Sequence, residues 1–115
     1  MKITVYVTDK HIDAGRSLSS TECPVALAIA DAIKETNNPK LNWVKRVETS
    51  ASNVGVLSEY IPREDYKLPH IYHKYGNSQM TDQFTNTWIS RFDWCRESCL
   101  LLPFNFEMEV SEHED

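Results

Sequence analysis

Apolar and polar residues alternate strictly at the start of the chain: Ile3, Val5 and Val7 fall on one face, and Lys2, Thr4, Tyr6 and Thr8 on the other. A period of two residues marks a strand with one buried face. Asp9 can cap a short helical turn over Lys10 to Ala14, which Gly15 would end, and Arg16 to Ser20 read as a polar loop. From there the period lengthens to that of a helix. Ser19 and Glu22 have capping-box spacing, but a helix begun there would place Pro24 where it forfeits a backbone hydrogen bond. Cys23 as N-cap with Pro24 in the first helical position avoids that loss. The helix then runs to about Glu35, with Val25, Ile29, Ala32 and Ile33 on its inner face and alanines at 26, 28, 30 and 32 permitting close approach to a sheet.

Thr36 to Pro39 form a stop, and Leu41 to Glu48 read as a strand whose hairpin partner is Val54 to Tyr60, joined by a turn at Ser50 to Asn53. Pro62, Pro69 and Gly76 make Pro62 to Asn77 an exposed loop with a short extended piece at His70 to His73. Asp82 can cap a second helix in which Phe84, Trp88, Phe92, Cys95 and Cys99 recur at helical steps, with Gln83, Asn86, Ser90, Asp93 and Glu97 on the far face. Pro103 stops it. Phe104 to Val110 alternate again as a closing strand, and Ser111 to Asp115 are expected to fray. The order predicts an α+β fold of split β-α-β-β-α-β type, a mostly antiparallel sheet with two helices on one face. It forms a single domain over residues 1–110 with an acidic C-terminal tail over 111–115.

Length and composition sharpen this picture in three respects. A chain of 115 residues can bury a core without metal or disulfide staples. Three cysteines are an odd number, and Met1-Lys2-Ile3-Thr4 does not open a secretory signal, so free thiols in a cytoplasmic, soluble protein are expected. No apolar run approaches the roughly 18 residues of a membrane span. The net charge of −5 comes from Glu107, Glu109, Glu112, Glu114 and Asp115, because the remainder balances twelve acids against twelve bases. Groove binding to nucleic acid, which needs a basic footprint, is therefore disfavoured.

Candidate chemistry is sparse. Cys23 at a helix N-terminus could be a stabilised thiolate or a small capping residue. Cys95 and Cys99, one helical turn apart, could share a metal with His70, His73 or Cys23, but they also continue an apolar stripe, and packing is the better reading. No phosphate loop, nucleophile elbow or metal-protease motif occurs, so neither an enzyme nor a cofactor is expected. Aromatic and basic side chains interleave from Tyr60 to Tyr75. Tyr60, Arg63, Tyr66 and Lys67, followed by His70, Tyr72, His73 and Tyr75, form the candidate partner-binding set. Glu107, Glu109 and Glu112 would steer a basic partner towards it.

Two stretches carry a resemblance. Thr8-Asp9-Lys10-His11-Ile12-Asp13-Ala14-Gly15 with Cys23-Pro24-Val25-Ala26-Leu27-Ala28-Ile29, and Ile89-Ser90-Arg91-Phe92-Asp93 with Pro103-Phe104-Asn105-Phe106-Glu107, resemble motifs of a group of small uncharacterised bacteriophage proteins. The similarity covers both ends of the chain and passes over about Pro39 to Met80. Members often carry a further cysteine just before Cys-Pro, where this chain has Ser19, Ser20 and Thr21. The resemblance implies a phage accessory protein acting in the cytoplasm of an infected bacterium, and it carries over no catalytic residue. The expectation is a protein that binds and modulates a host protein, as an anti-defence inhibitor. The alternative is a protein that sequesters a nucleotide or signalling molecule through Arg63, Lys67 and Lys74.

Overall fold

A computed structural model describes residues 1–58 and 75–114 in full and, between them, the backbone of residues 60–63 and 70–73. Strand β1 (Lys2–Val7) is followed by α1 (Asp9–Ala14), α2 (Pro24–Glu35), a 3-10 turn (Pro39–Leu41), β2 (Arg46–Thr49) and β3 (Asn53–Leu57). Then come β4 (Tyr60–Arg63), β5 (His70–His73), β6 (Gly76–Met80), α3 (Gln83–Cys95) and β7 (Phe104–Glu109). The class is α+β with antiparallel pairing throughout the described strands. The ladders are β1-β7, β2-β3-β6 and β4-β5.

The two alternating segments at the chain ends pair with each other. Ile3, Val5 and Val7 lie opposite Met108, Phe106 and Phe104, so one face of β1-β7 is wholly apolar and turns to the core. Helix α2 covers it with Val25, Ala26, Ala28 and Ile29, whose burial leaves Ala32 and Ile33 only half-buried. Helix α3 adds Trp88, Ile89 and Phe92. Each such large side chain removed from water contributes about 1.5–3 kcal/mol.

The β6 strand, whose first residues Gly76 and Asn77 fall in the segment read from the sequence as loop, is polar because it joins two sheets. Asn77 and Gln79 share a face with Val56 and Val54 of β3. The Asn77 amide donates to the Glu109 carbonyl at 3.0 Å, and Gln79 accepts from the Glu109 N–H at 3.0 Å. Side-chain amides here take the place of a backbone ladder between β6 and β7.

The predicted strand Leu41 to Glu48 is corrected: its first part belongs to the 3-10 turn, capped by Asn38, and only Arg46–Thr49 is extended. Trp43 is buried there and donates its indole N–H to the Ser111 carbonyl at 2.8 Å. The predicted fraying of the tail is corrected by the same contact. His113 donates its backbone N–H to the Lys40 carbonyl and stacks on Tyr75 at 3.9 Å, while Glu112 reaches Asn38 and the Met1 amine. Burial of Trp43 and Tyr75 supplies the surface that holds residues 111–114 in place.

Candidate functional site

The stretches Thr8 to Gly15 and Cys23 to Ile29 build one structural knot. His11 is buried, and its Nδ1 accepts the Thr8 backbone N–H at 3.1 Å. A backbone N–H can only donate, so the ring proton sits on Nε2, which donates to Asp31 of α2 at 2.7 Å. Thr8 Oγ1 lies 3.0 Å from the same Nδ1, an order of carboxylate, imidazole and hydroxyl that resembles a nucleophile triad. The Nδ1 lone pair is already committed to the start of α1, so the arrangement caps a helix and ties it to α2. Gly15 is required because a Cβ there would stand 2.5 Å from the Pro24 ring. Arg96, beyond α3, donates to the Gly15 and Ile12 carbonyls at 2.9 Å each.

Cys23 is the N-cap of α2 and is buried. Burial pushes its thiol above the ordinary value, and the nearby Thr49 side chain and Val25 and Ala26 amides only partly offset this. A thiol held protonated is a poor nucleophile. The expected free thiols at 95 and 99 are corrected: α3 ends at Cys95, the chain turns at residues 96–98, and Cys95 and Cys99 form a disulfide. Their sulfurs are thereby unavailable to a metal. Among the described residues no cluster of three or more His, Cys, Asp or Glu side chains is placed to hold one.

Of the sequence-predicted partner-binding residues, Tyr60 and Arg63 lie on β4, and His70, Tyr72 and His73 on β5. Tyr60 pairs with His73, and Arg63 with His70. Tyr66 and Lys67 lie outside the described residues, as does Lys74. Tyr75 is half-buried, stacked on His113 and edge-on to Trp43 at 5.9 Å. The acids also have internal partners. Glu107 meets Lys2 at 3.0 Å, and Glu109 and Glu112 converge on the Met1 amine at 3.7 and 3.6 Å.

A surface that sequence reasoning missed lies on α3. The core stripe is Thr85, Trp88, Ile89 and Phe92, so Phe84, expected to point inward, is rotated out and is 62% exposed. Residues 84, 87, 91 and 94 recur at steps of three and four on the adjoining side. Phe84, Thr87, Trp88, Arg91 and Leu100 line a recess of about 440 Å³. Trp88 fixes its wall by donating its indole N–H to the Leu102 carbonyl at 2.9 Å. Leu100 and Leu102 are 81% and 59% exposed, and Trp94, one step beyond Arg91, is 77% exposed. Phe84 packs on Phe104 and Phe104 on Trp88, with centroids 5.3 and 5.0 Å apart, so the exposed ring is anchored to the core. The signal available in the sequence was the phase: the run of apolar residues is broader than one face can bury.

A second groove, of about 390 Å³, lies between α2 and β2. Ala26, Ala30, Ile33 and Val47 form its floor, and Lys34 and Lys45 its rim. Neither lysine meets a carboxylate among the described residues. No helix of the described residues is long and apolar enough to cross a membrane. No family model, curated protein or solved structure matches the chain.

Proposed function

We propose that the chain is a phage accessory protein that binds a protein of the bacterial host and inhibits it, as a component of a defence system, without chemistry of its own. The observation that carries this reading is the exposure of Phe84 and Leu100 beside Arg91 in a recess anchored to the core, with Trp94 one helical step beyond Arg91 also exposed. Exposed Trp and Phe beside an arginine match the residue types enriched in protein interfaces, and the exposed leucines extend the apolar patch around them. The matching partner presents a bulky apolar side chain to the recess and a carboxylate to Arg91. The paired strands β4 and β5, which carry Tyr60, Arg63, His70, Tyr72 and His73, supply a second contact in this reading. The resemblance of both chain ends to phage proteins supports the setting.

A photo-crosslinker placed at Leu100 tests it in lysate of an infected host. One host protein should be captured by the native surface and lost with Arg91→Glu, and charge reversal of the partner's carboxylate should restore capture. Capture unchanged by Arg91→Glu would overturn the assignment of this face.

The α2-β2 groove favours a second reading, sequestration of an anionic small molecule with an apolar body, held by Lys34 and Lys45 over the alanine floor. A thermal-shift screen of nucleotides separates the two, since a ligand at a hundredfold over its dissociation constant adds about 2.7 kcal/mol of stability.

A further inference from the structure

The outer edge of β1 offers an unused row of backbone groups, and its geometry points to a second copy of this chain as the occupant. The Met1 amine donates to the Val110 carbonyl at 2.7 Å, and the Val110 N–H returns to the Met1 carbonyl at 2.8 Å. Antiparallel ladders alternate, so the pairs exchanging bonds are also Ile3 with Met108, Val5 with Phe106 and Val7 with Phe104. The same alternation turns Glu109 away from β1, and it is bonded on that far side to Gln79 and Asn77, which fixes the phase independently. Lys2, Thr4 and Tyr6 therefore point their N–H and C=O groups away from β7. Among the described residues nothing bonds to these six groups, and all three residues are exposed.

Natural sheets blunt such an edge with proline, a bulge, an inward charge or charged side chains, lysine above all. Here six residues pair with β7 in unbroken register, without Pro or Gly, and the one lysine on the edge, Lys2, is held by Glu107 of the same ladder at 3.0 Å. The open groups are symmetric about Thr4. We propose that two copies pair antiparallel across a two-fold axis at Thr4, joining their β1-β7 ladders into one four-stranded sheet. Thr4 then exchanges two bonds with Thr4 of the second copy, and each Lys2 exchanges two with the other copy's Tyr6, so all open groups are used. A two-fold axis at Ile3 would leave Tyr6 with no residue opposite. An axis at Val5 would place Lys2 against Thr8, whose N–H is already given to His11. The Thr4 register also sets Lys2 beside the exposed Tyr6 ring, a favourable cation–aromatic contact, and brings no like charges opposite one another.

Sedimentation velocity over a concentration series should show a monomer–dimer equilibrium. Thr4→Pro removes an N–H that the chain itself does not use, so circular dichroism should be unchanged while the dimerisation midpoint rises about ten-fold or more. Thr4→Cys should give a disulfide-linked dimer on mild oxidation, because the two Cα atoms would stand about 5.5 Å apart, within disulfide reach. Lys2→Cys, which faces residue 6, should not. A monomer at every concentration, a folded Thr4→Pro variant that dimerises as the native chain does, or equal cross-linking of the two cysteine variants would overturn the proposal.

Discussion

The Asp93 carboxylate accepts the backbone N–H of Leu18 at 2.9 Å, across 75 positions of sequence. Leu18 has φ of 59°, in the left-handed region, and its side chain is exposed. The bond, with that from Ser17 Oγ to the Phe92 carbonyl at 3.1 Å, fastens the α1-α2 loop to the end of α3 in a conformation that costs a leucine roughly 1–2 kcal/mol. Leu18→Gly should therefore raise stability by about 1 kcal/mol, since the strain disappears and little packing is lost. Chemical denaturation measures it, and a loss of stability would mean that the leucine side chain stabilises the loop by more than its strain costs.

Gly15→Ala tests the packing of the knot. The added Cβ meets the Pro24 ring, which cannot rotate away, and a loss of about 1–3 kcal/mol is expected. Pairing it with Pro24→Ala should recover part of that loss and no more, because the Pro24 backbone nitrogen would itself stand only 2.9 Å from the added Cβ. A double-mutant cycle in urea reads the coupling.

Thr85 is buried on α3, and its hydroxyl is unpartnered among the described residues. Valine has the same shape without the desolvated oxygen. Thr85→Val is expected to stabilise by about 1 kcal/mol, visible as a raised melting temperature with an unchanged spectrum.

The recess on α3 makes a prediction of its own about stability. Arg91→Glu and Trp94→Ala change exposed side chains, so each should alter unfolding free energy by no more than about 0.5 kcal/mol while abolishing partner capture. Loss of folding together with binding would count against a docking role.

Acid should weaken one of the contacts that hold the tail. Glu112 is held below its ordinary value of 4.5, first by the hydrogen bond from Asn38, with the Met1 amine and Lys40 adding to it. A depressed carboxyl stabilises the fold above its unfolded value and loses that contribution as the pH falls through the lower folded one. Below pH 4.5 the native protein should therefore lose stability faster than Glu112→Gln, in which this titration is absent. Melting temperatures of the two proteins across the acid range decide it.

Elements whose cause is local are legible along the chain. Alternation made β1 and β7, Pro24 after Cys23 began α2, Asp82 began α3, and the order of strands and helices set the α+β class. Each of these rests on periodicity or on a cap, which a residue reads from its neighbours along the chain. Tertiary structure decided what depends on partners far away in sequence. Polar β6 became a strand because β3 pairs with it, its amides reaching Glu109 on the other side, and the tail docked because Trp43 and Tyr75 await it. Phe84 turned outward because the core accepts only the face centred on Thr85, Trp88, Ile89 and Phe92. The acids at 107, 109 and 112 found cations of the chain's own N-terminal end, and Cys95 found Cys99 once the helix stopped between them. Neither the recess at Arg91 nor the open edge at Thr4 is a motif, because each is defined by what the rest of the molecule leaves uncovered.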